Sequence, residues 1–358
     1  MHAKLAPSSA ARRMACPGSR ALEAQYPETV ESVFSREGTA AHWVAQQYLL
    51  GNFNLPIYAP NGELITKEML QGADIYEHEI KWISRENTLH IEEWTDISNI
   101  HPDCWGTPDC WFLVDDHLYI FDYKFGHGYV EVYENWQLLE YASGISQKVS
   151  FSKVSLIIIQ PRNFMTPNPM RSWTLTVQDL YNYMVRLRKS EAESLQPDAL
   201  LKPSNECTHC LGRHACNVLQ ATVGRILDIT SSTISFELTP IQTGIELKHL
   251  RQAAQLLEAR MTGLEEQAKS MIMRGEFLPG FKLEAGQGRE HWTKDTAEVI
   301  TLGEVMGLNL CKPQETITPA QARKIGIHED VLQAYSQRIP GKLKLVENTN
   351  EASKVFKK

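Results

Sequence analysis

In the stretch GTPDCWFLVDDHLYIFDYKFG, residues 106–126, Asp109, Asp122 and Lys124 interrupt two otherwise apolar runs. Asp115-Asp116 supplies a two-residue turn, because Asp accepts left-handed backbone angles. Counting outward from that turn sets Val114 opposite His117 and Asp109 opposite Asp122, and directly opposed residues hold their Cβ atoms roughly 4.5–5.5 Å apart. Side chains alternate along a strand, so Asp122 and Lys124 share a face. The pattern predicts two carboxylates and one ammonium on one side of a sheet. Opposed carboxylates repel, and a hard divalent cation such as Mg²⁺ or Mn²⁺ neutralises both. A lysine beside such an ion can hold an attacking water or steady negative charge developing on phosphate. Without an ion, the same residues reduce to a turn cap at Gly106-Thr107-Pro108 and an edge-strand ion pair, and spacing alone leaves both readings open.

A second constellation is built from cysteines. The chain has seven, an odd number, in a sequence whose first residues lack the apolar centre of an export signal, which argues against a disulfide framework. Cys207, Cys210 and Cys216 follow a C-x2-C-x5-C spacing, and Cys16 stands alone far upstream. Zinc accounts for such a set if Cys16, His209 or His214 completes it, since closed zinc sites accept three cysteines and one histidine. Cys104, Cys110 and Cys311 lack partners at useful spacing and are predicted to be buried as small hydrophobes.

The elements that must position these residues follow from hydrophobic period. A helix is predicted from about Thr39 to Leu50, stopped by Gly51, with His42 at the edge of its apolar stripe. Residues 67–86 form a second helix, and LHIEEWTDI a strand feeding the hairpin. ENWQLLEYASGISQK reads as a helix, VSLIIIQPR as a buried strand and VQDLYNYMVRLRKSEAESL as another helix. That order predicts a mixed α/β fold, a central sheet flanked by helices. A long amphipathic helix from about Glu246 to Arg274, a short β-like piece at GFKLEAG and a helix at TPAQARKIGI make residues 232–358 an appendage to a core of residues 1–231.

Composition bounds the rest. With 358 residues, 42% of them hydrophobic, the chain can bury a large core, and no apolar run approaches the roughly 20 residues of a membrane helix. The expectation is a cytoplasmic protein with no membrane partner. A net charge of −7 gives no bulk reason to expect nucleic acid. Basic clusters at Arg12, Arg13 and Arg20, at Arg186, Arg188 and Lys189, and at Lys354, Lys357 and Lys358 read as solvated surface.

Pro108-Asp109 followed a strand later by Asp122-Tyr123-Lys124 resembles the signature of the PD-(D/E)XK nuclease superfamily. Gly38-Thr39-Ala40-Ala41-His42 is similar to the upstream motif of its RecB-like branch, and Gln137 with Tyr141 matches that branch's Q-x-x-x-Y motif, whose i,i+4 spacing puts both on one helix face. The one-plus-three cysteines resemble those of iron–sulfur nucleases such as the AddB-type and CRISPR-associated RecB-like proteins. The resemblance spans about residues 5–220.

It implies a restriction-endonuclease-like core hydrolysing phosphodiesters in DNA, at a free end, with His42, Asp109, Asp122 and the Tyr123 carbonyl holding one or two Mg²⁺ or Mn²⁺ ions. Lys124 would position the water, and Gln137 and Tyr141 would orient the strand or the lysine. Cys16, Cys207, Cys210 and Cys216 would hold a [4Fe–4S] cluster that ties the two ends of the core together. Trp105, Trp111, Tyr129, Tyr133 and Trp136 are candidate platforms for single-stranded bases. The implied setting is recombination, repair or end processing in a prokaryotic or phage-infected cell, with a recombination or replication protein as a possible partner. Two other classes stay open: a nuclease-like DNA-binding or assembly subunit without activity, and a zinc-stabilised interaction protein.

Overall fold

The computed structural model describes residues 4–26, 33–163, 168–230, 238–283 and residue 301. The chain divides into two compact units, Met1–Glu284 and Ala285–Lys358, and the elements that follow all lie in the first. In chain order they are α1 (Ala10–Ala15), α2 (Ser19–Glu23), α3 (Val33–Leu49), α4 (Lys67–Ser84), β1 (His90–Ile91), β2 (Thr95–Asp96), β3 (Trp105–Gly106), β4 (Cys110–Val114), β5 (His117–Tyr123), α5 (Trp136–Ile145), β6 (Lys153–Ile159), β7 (Met170–Thr176), α6 (Val177–Ser194), α7 (Asn217–Thr230) and α8 (Pro240–Met273). Among the described residues no helix is long and apolar enough to cross a membrane.

The core is a five-stranded mixed sheet in the order β1-β4-β5-β6-β7, with β5 and β6 parallel and the other neighbours antiparallel. The hairpin register runs from Val114 opposite His117 to Cys110 opposite Phe121, so one further step sets Asp109 opposite Asp122. Asp115 takes the left-handed conformation that the turn demands, at φ 55°. Strand alternation divides the core in two. Leu118, Ile120, Leu156 and Ile158 face α5 and α6, while Phe112, Phe121, Tyr123, Ile157 and Ile159 face α3 and α4. Each such side chain contributes roughly 1.5–3 kcal/mol by leaving water.

Local chemistry explains the helix ends. Thr66 caps α4 by accepting the Met69 N–H, Asn135 caps α5 by accepting that of Leu138, and Thr176 with Asp179 forms a reciprocal capping box at α6. Helix α3 begins before Thr39 and ends two residues ahead of Gly51, whose φ of 78° turns the chain away. Helix α8 likewise begins earlier than its amphipathic pattern suggests, at Pro240 behind a Thr239 cap. It packs on α7 and on the short 3₁₀ turn Asn205–His209 within the first unit.

The strands depart from expectation in three places. LHIEEWTDI is not one strand: β1 stops at Ile91, Glu92 adopts φ 49°, and β2 resumes in a separate two-stranded ribbon with β3. Edge strand β7, in PMRSWTLT, was not anticipated; only Leu175 of it is buried, so its apolar signal is weak. Gly280–Leu283, from the predicted β-like piece, has no strand, and the predicted helix at TPAQARKIGI, with Cys311 and Lys354, Lys357 and Lys358, lies outside the described residues.

Arg13 departs from expectation as well, because it is not solvated surface. Its guanidinium is 2% exposed, 2.7 Å from Glu191 on α6 and 3.1 Å from Glu140 on α5, and it also donates to Ser9 Oγ and the Ala6 carbonyl. Glu140 takes the Cys104 thiol on its other oxygen. Burial pushes Glu140 up to about 8, the Arg13 charge offsetting only part of this and Glu191 adding repulsion. Removing the cation leaves Glu191 and Glu140 buried without their counter-charge, so Arg13→Met should cost about 3–5 kcal/mol in a denaturant titration. Glu140 is raised relative to an unfolded carboxylate, so its contribution to stability is complete below the ordinary carboxylate range and is lost as pH rises through about 8. Glu140→Gln should therefore flatten the decline of melting temperature between about pH 5 and pH 9.

Candidate functional site

At the end of the sheet where β4 begins and β5 stops, four elements deliver polar side chains to one place. Helix α3 brings His42, the kink after β1 brings Glu92, the residue before β4 is Asp109, and β5 ends in Asp122 and Tyr123 before Lys124. His42 Nδ1 stands 3.4 Å from Asp109 Oδ1. The other Asp109 oxygen accepts the Tyr123 N–H at 2.6 Å, and the Asp109 carbonyl accepts the Glu92 N–H at 3.1 Å. One ligand atom each from His42, Glu92 and Asp109 lies within 4.8 Å of the other two, a grouping unmatched by other His, Cys, Asp or Glu sets among the described residues.

Asp122 stands beside this trio rather than in it. It is 3% exposed, and its Oδ2 is 3.0 Å from Lys124 Nζ. Lys124 Nζ also donates to Gln137 Oε1 at 3.4 Å, and Gln137 in turn hydrogen-bonds Tyr141 one turn along α5. Two linked rows result, His42–Glu92–Asp109 and Asp122–Lys124–Gln137–Tyr141, joined across the hairpin. His42 and Glu92 open onto a cleft with Ser35, Thr39 and Trp43. Lys124 and Gln137 open onto a larger groove of about 1060 Å³.

Proton affinities follow from this crowding. Burial, then repulsion from Asp109, pushes Glu92 up to about 7 against the opposing effect of His42. Burial also works to raise Asp109, but His42, Lys124 and the Tyr123 N–H outweigh it and hold the carboxyl below its ordinary range. Asp122 is raised, by burial first and Asp109 next, with Lys124 offsetting part. Burial disfavours the His42 and Lys124 cations, yet the neighbouring aspartates raise both. Three converging donors of imidazole and carboxylate type, one of them raised by burial and then by its neighbour, suit a hard divalent cation that would offset both effects.

The four cysteines also meet. Cys16 ends α1, Cys207 lies in the Asn205–His209 turn, Cys210 follows it and Cys216 immediately precedes α7. All four line one small cavity floored by Leu22, Leu201 and Leu219. Backbone N–H groups of Lys202, Ser204 and Leu219 donate to the sulfurs of Cys16, Cys207 and Cys216 at 3.2, 3.3 and 3.4 Å. No three of the sulfurs come within 4.8 Å of one another. His214 instead stacks edge-on against Tyr26 and faces the Leu211 carbonyl. Cys104 and Cys110 are fully buried.

Of the aromatic candidates, Trp111 is core, stacked under His90 and 2% exposed. Tyr129 and Tyr133 are exposed beside the larger groove, and Trp136 lies under the Arg186 guanidinium at 4.7 Å. Trp105 is half-buried near Trp94. Sequence reasoning missed Glu92, which sits in a stretch with ordinary strand spacing; the one available signal was the repeated acid in Glu92-Glu93. Because Glu92 and Asp109 repel in the metal-free protein, Glu92→Gln should raise its melting temperature while weakening Mn²⁺ binding about tenfold or more, read by calorimetry. Over residues 2–353 the chain matches the family described as protein of unknown function, DUF2800, and it belongs to that family.

Proposed function

We propose that this protein is a divalent-metal-dependent nuclease acting on DNA, built on a PD-(D/E)XK-type core of the RecB-like branch and closed by an iron–sulfur cluster. The observation that carries the reading is the convergence of His42, Glu92 and Asp109 at the sheet end that also presents the Asp122–Lys124 pair. His42, Glu92 and Asp109, with Asp122 and the Tyr123 carbonyl alongside, would hold one or two Mg²⁺ or Mn²⁺ ions. Such an ion supplies charge neutralisation at the phosphate and acidifies water.

The chain's own groups do the rest. Lys124, kept protonated by Asp122 and Asp109, is a donor rather than a base: it holds the attacking water by its oxygen and faces the negative charge that grows on the phosphoryl oxygens. Asp122 and Gln137 fix the ammonium from two sides, so its direction is set before substrate arrives. Tyr141, through Gln137, extends that restraint into α5. A free DNA end and a role in recombination, repair or end processing are the setting that the motifs suggest.

For the thiols, spacing favours a cluster over a single zinc. Tetrahedral zinc at a Zn–S distance of about 2.3 Å brings sulfurs to within roughly 3.8 Å of one another, closer than any three thiols stand here. A [4Fe–4S] cube accepts four thiolates at wider separation, and the N–H donors already aimed at three sulfurs are the kind that stabilise such ligands.

Purified DNA labelled at the 5′ or 3′ end tests the activity. Wild-type protein with Mg²⁺ or Mn²⁺ should release labelled products, and Lys124→Ala should lose roughly 10²–10³-fold in rate with an unchanged circular dichroism spectrum. Cleavage by Lys124→Ala or Asp122→Ala at the wild-type rate would refute the assignment. Anaerobic purification should yield a brown protein with iron and broad visible absorbance, lost in Cys210→Ala; a colourless protein carrying stoichiometric zinc would select the interaction-protein reading instead.

A further inference from the structure

Behind the carboxylates lies a buried hydroxyl with no part in the chemistry of Lys124, Asp122 or Gln137. Helix α4 turns Gly72 and Tyr76, one helical turn apart, toward β5. At Gly72 the approach is close: a Cβ there would stand 2.4 Å from the Tyr123 hydroxyl. That opening lets the Tyr123 ring lie against the helix, and the Tyr76 ring packs on it with centroids 4.9 Å apart; the Tyr123 ring in turn meets His42 edge-on at 5.5 Å. Tyr76 is 1% exposed, and its hydroxyl has no hydrogen-bond partner among protein atoms.

A buried hydroxyl left alone costs about 1–3 kcal/mol, so packing by itself would be served better by phenylalanine at this position. Tyr76 packs on the same Tyr123 whose N–H bonds Asp109, so it lies one residue behind the ligand set. Burial keeps its phenol proton in place, reinforced by Asp109, Asp122 and Glu92 of the candidate metal centre and by the Cys110 thiol. The Tyr123 hydroxyl, also unpartnered, is different: it abuts α4, and Arg162 is its principal charged neighbour.

We infer that Tyr76 is a positioning residue of the metal centre, its hydroxyl donating a hydrogen bond into the oxygen-rich shell that forms when His42, Glu92 and Asp109 close on a divalent cation. The inference rests on the metal-centre reading but not on nuclease activity. The hydroxyl lies behind the ligands, held by the Tyr123 ring and α4, and donates directly to one of their oxygens once an ion has drawn them together. Groups bonded directly to metal ligands commonly set metal affinity by 10–100-fold.

The test uses full-length wild-type protein and Tyr76→Phe with Mn²⁺ alone, by calorimetry and by thermal melting with and without the ion. Tyr76→Phe should melt at the same or a higher temperature than wild type when metal-free, and should bind Mn²⁺ about tenfold or more weakly. Equal Mn²⁺ affinity in the two proteins overturns the inference while leaving the metal centre standing. So does a metal-free Tyr76→Phe that melts lower, because the hydroxyl would then have a partner within the protein itself. A wild-type protein that binds no Mn²⁺ removes the metal-centre reading and this inference together.

Discussion

One guanidinium buried between two carboxylates organises this fold. Arg13 draws the N-terminal segment onto α5 through Glu140 and onto α6 through Glu191, contacts separated by 127 and 178 positions in sequence. Such a triad adds little net stability over a well-packed apolar substitute, but it is intolerant of losing one member, and so it enforces a single arrangement. Cys16 lies three residues beyond Arg13, and Tyr141 is next to Glu140. The same ion cluster therefore places one thiol of the cysteine site and one end of the Lys124–Gln137–Tyr141 row.

At the other face the organising constraint is repulsion. Asp109, Glu92 and Asp122 are brought close by antiparallel pairing and by a backbone kink, and the protein holds them with His42, Lys124 and the Tyr123 amide rather than by dispersing them. Glu92 sits at φ 49°, a left-handed conformation that a non-glycine residue adopts at a cost of order 1–3 kcal/mol. The kink ends β1 and swings a carboxylate into the site. Strain and charge crowding therefore meet at one point of the fold.

The cysteine site is held from outside as well. Arg260 of α8 donates to the carbonyls of Arg213 and His214, and Arg213 pairs with Glu266 of the same helix at 2.5 Å. The loop that carries Cys207, Cys210 and Cys216 is thus clamped between α7 and α8, with Leu256 and Leu219 packed beside the thiols. Helix α8, set apart in the sequence as part of an appendage, belongs physically to the support of that loop.

Much of this was legible in the linear chain, for reasons of period and short range. Hairpin register follows from alternation about Asp115-Asp116, so the opposition of Asp109 to Asp122 needed no coordinates, and helices α4, α5 and α6 are marked by their caps and apolar stripes. The C-x2-C-x5-C spacing and the acids beside Lys124 named the chemistry-bearing residues by type. What the chain could not disclose depends on distance: Glu92 looks like a strand residue until the kink turns it, Arg13 looks like surface until two glutamates enclose it, and Tyr76 looks like core. Residue type and local period determined which groups were available, whereas only tertiary packing decided which charges share a buried space, because Coulomb and desolvation energies depend on separation in space and not along the sequence.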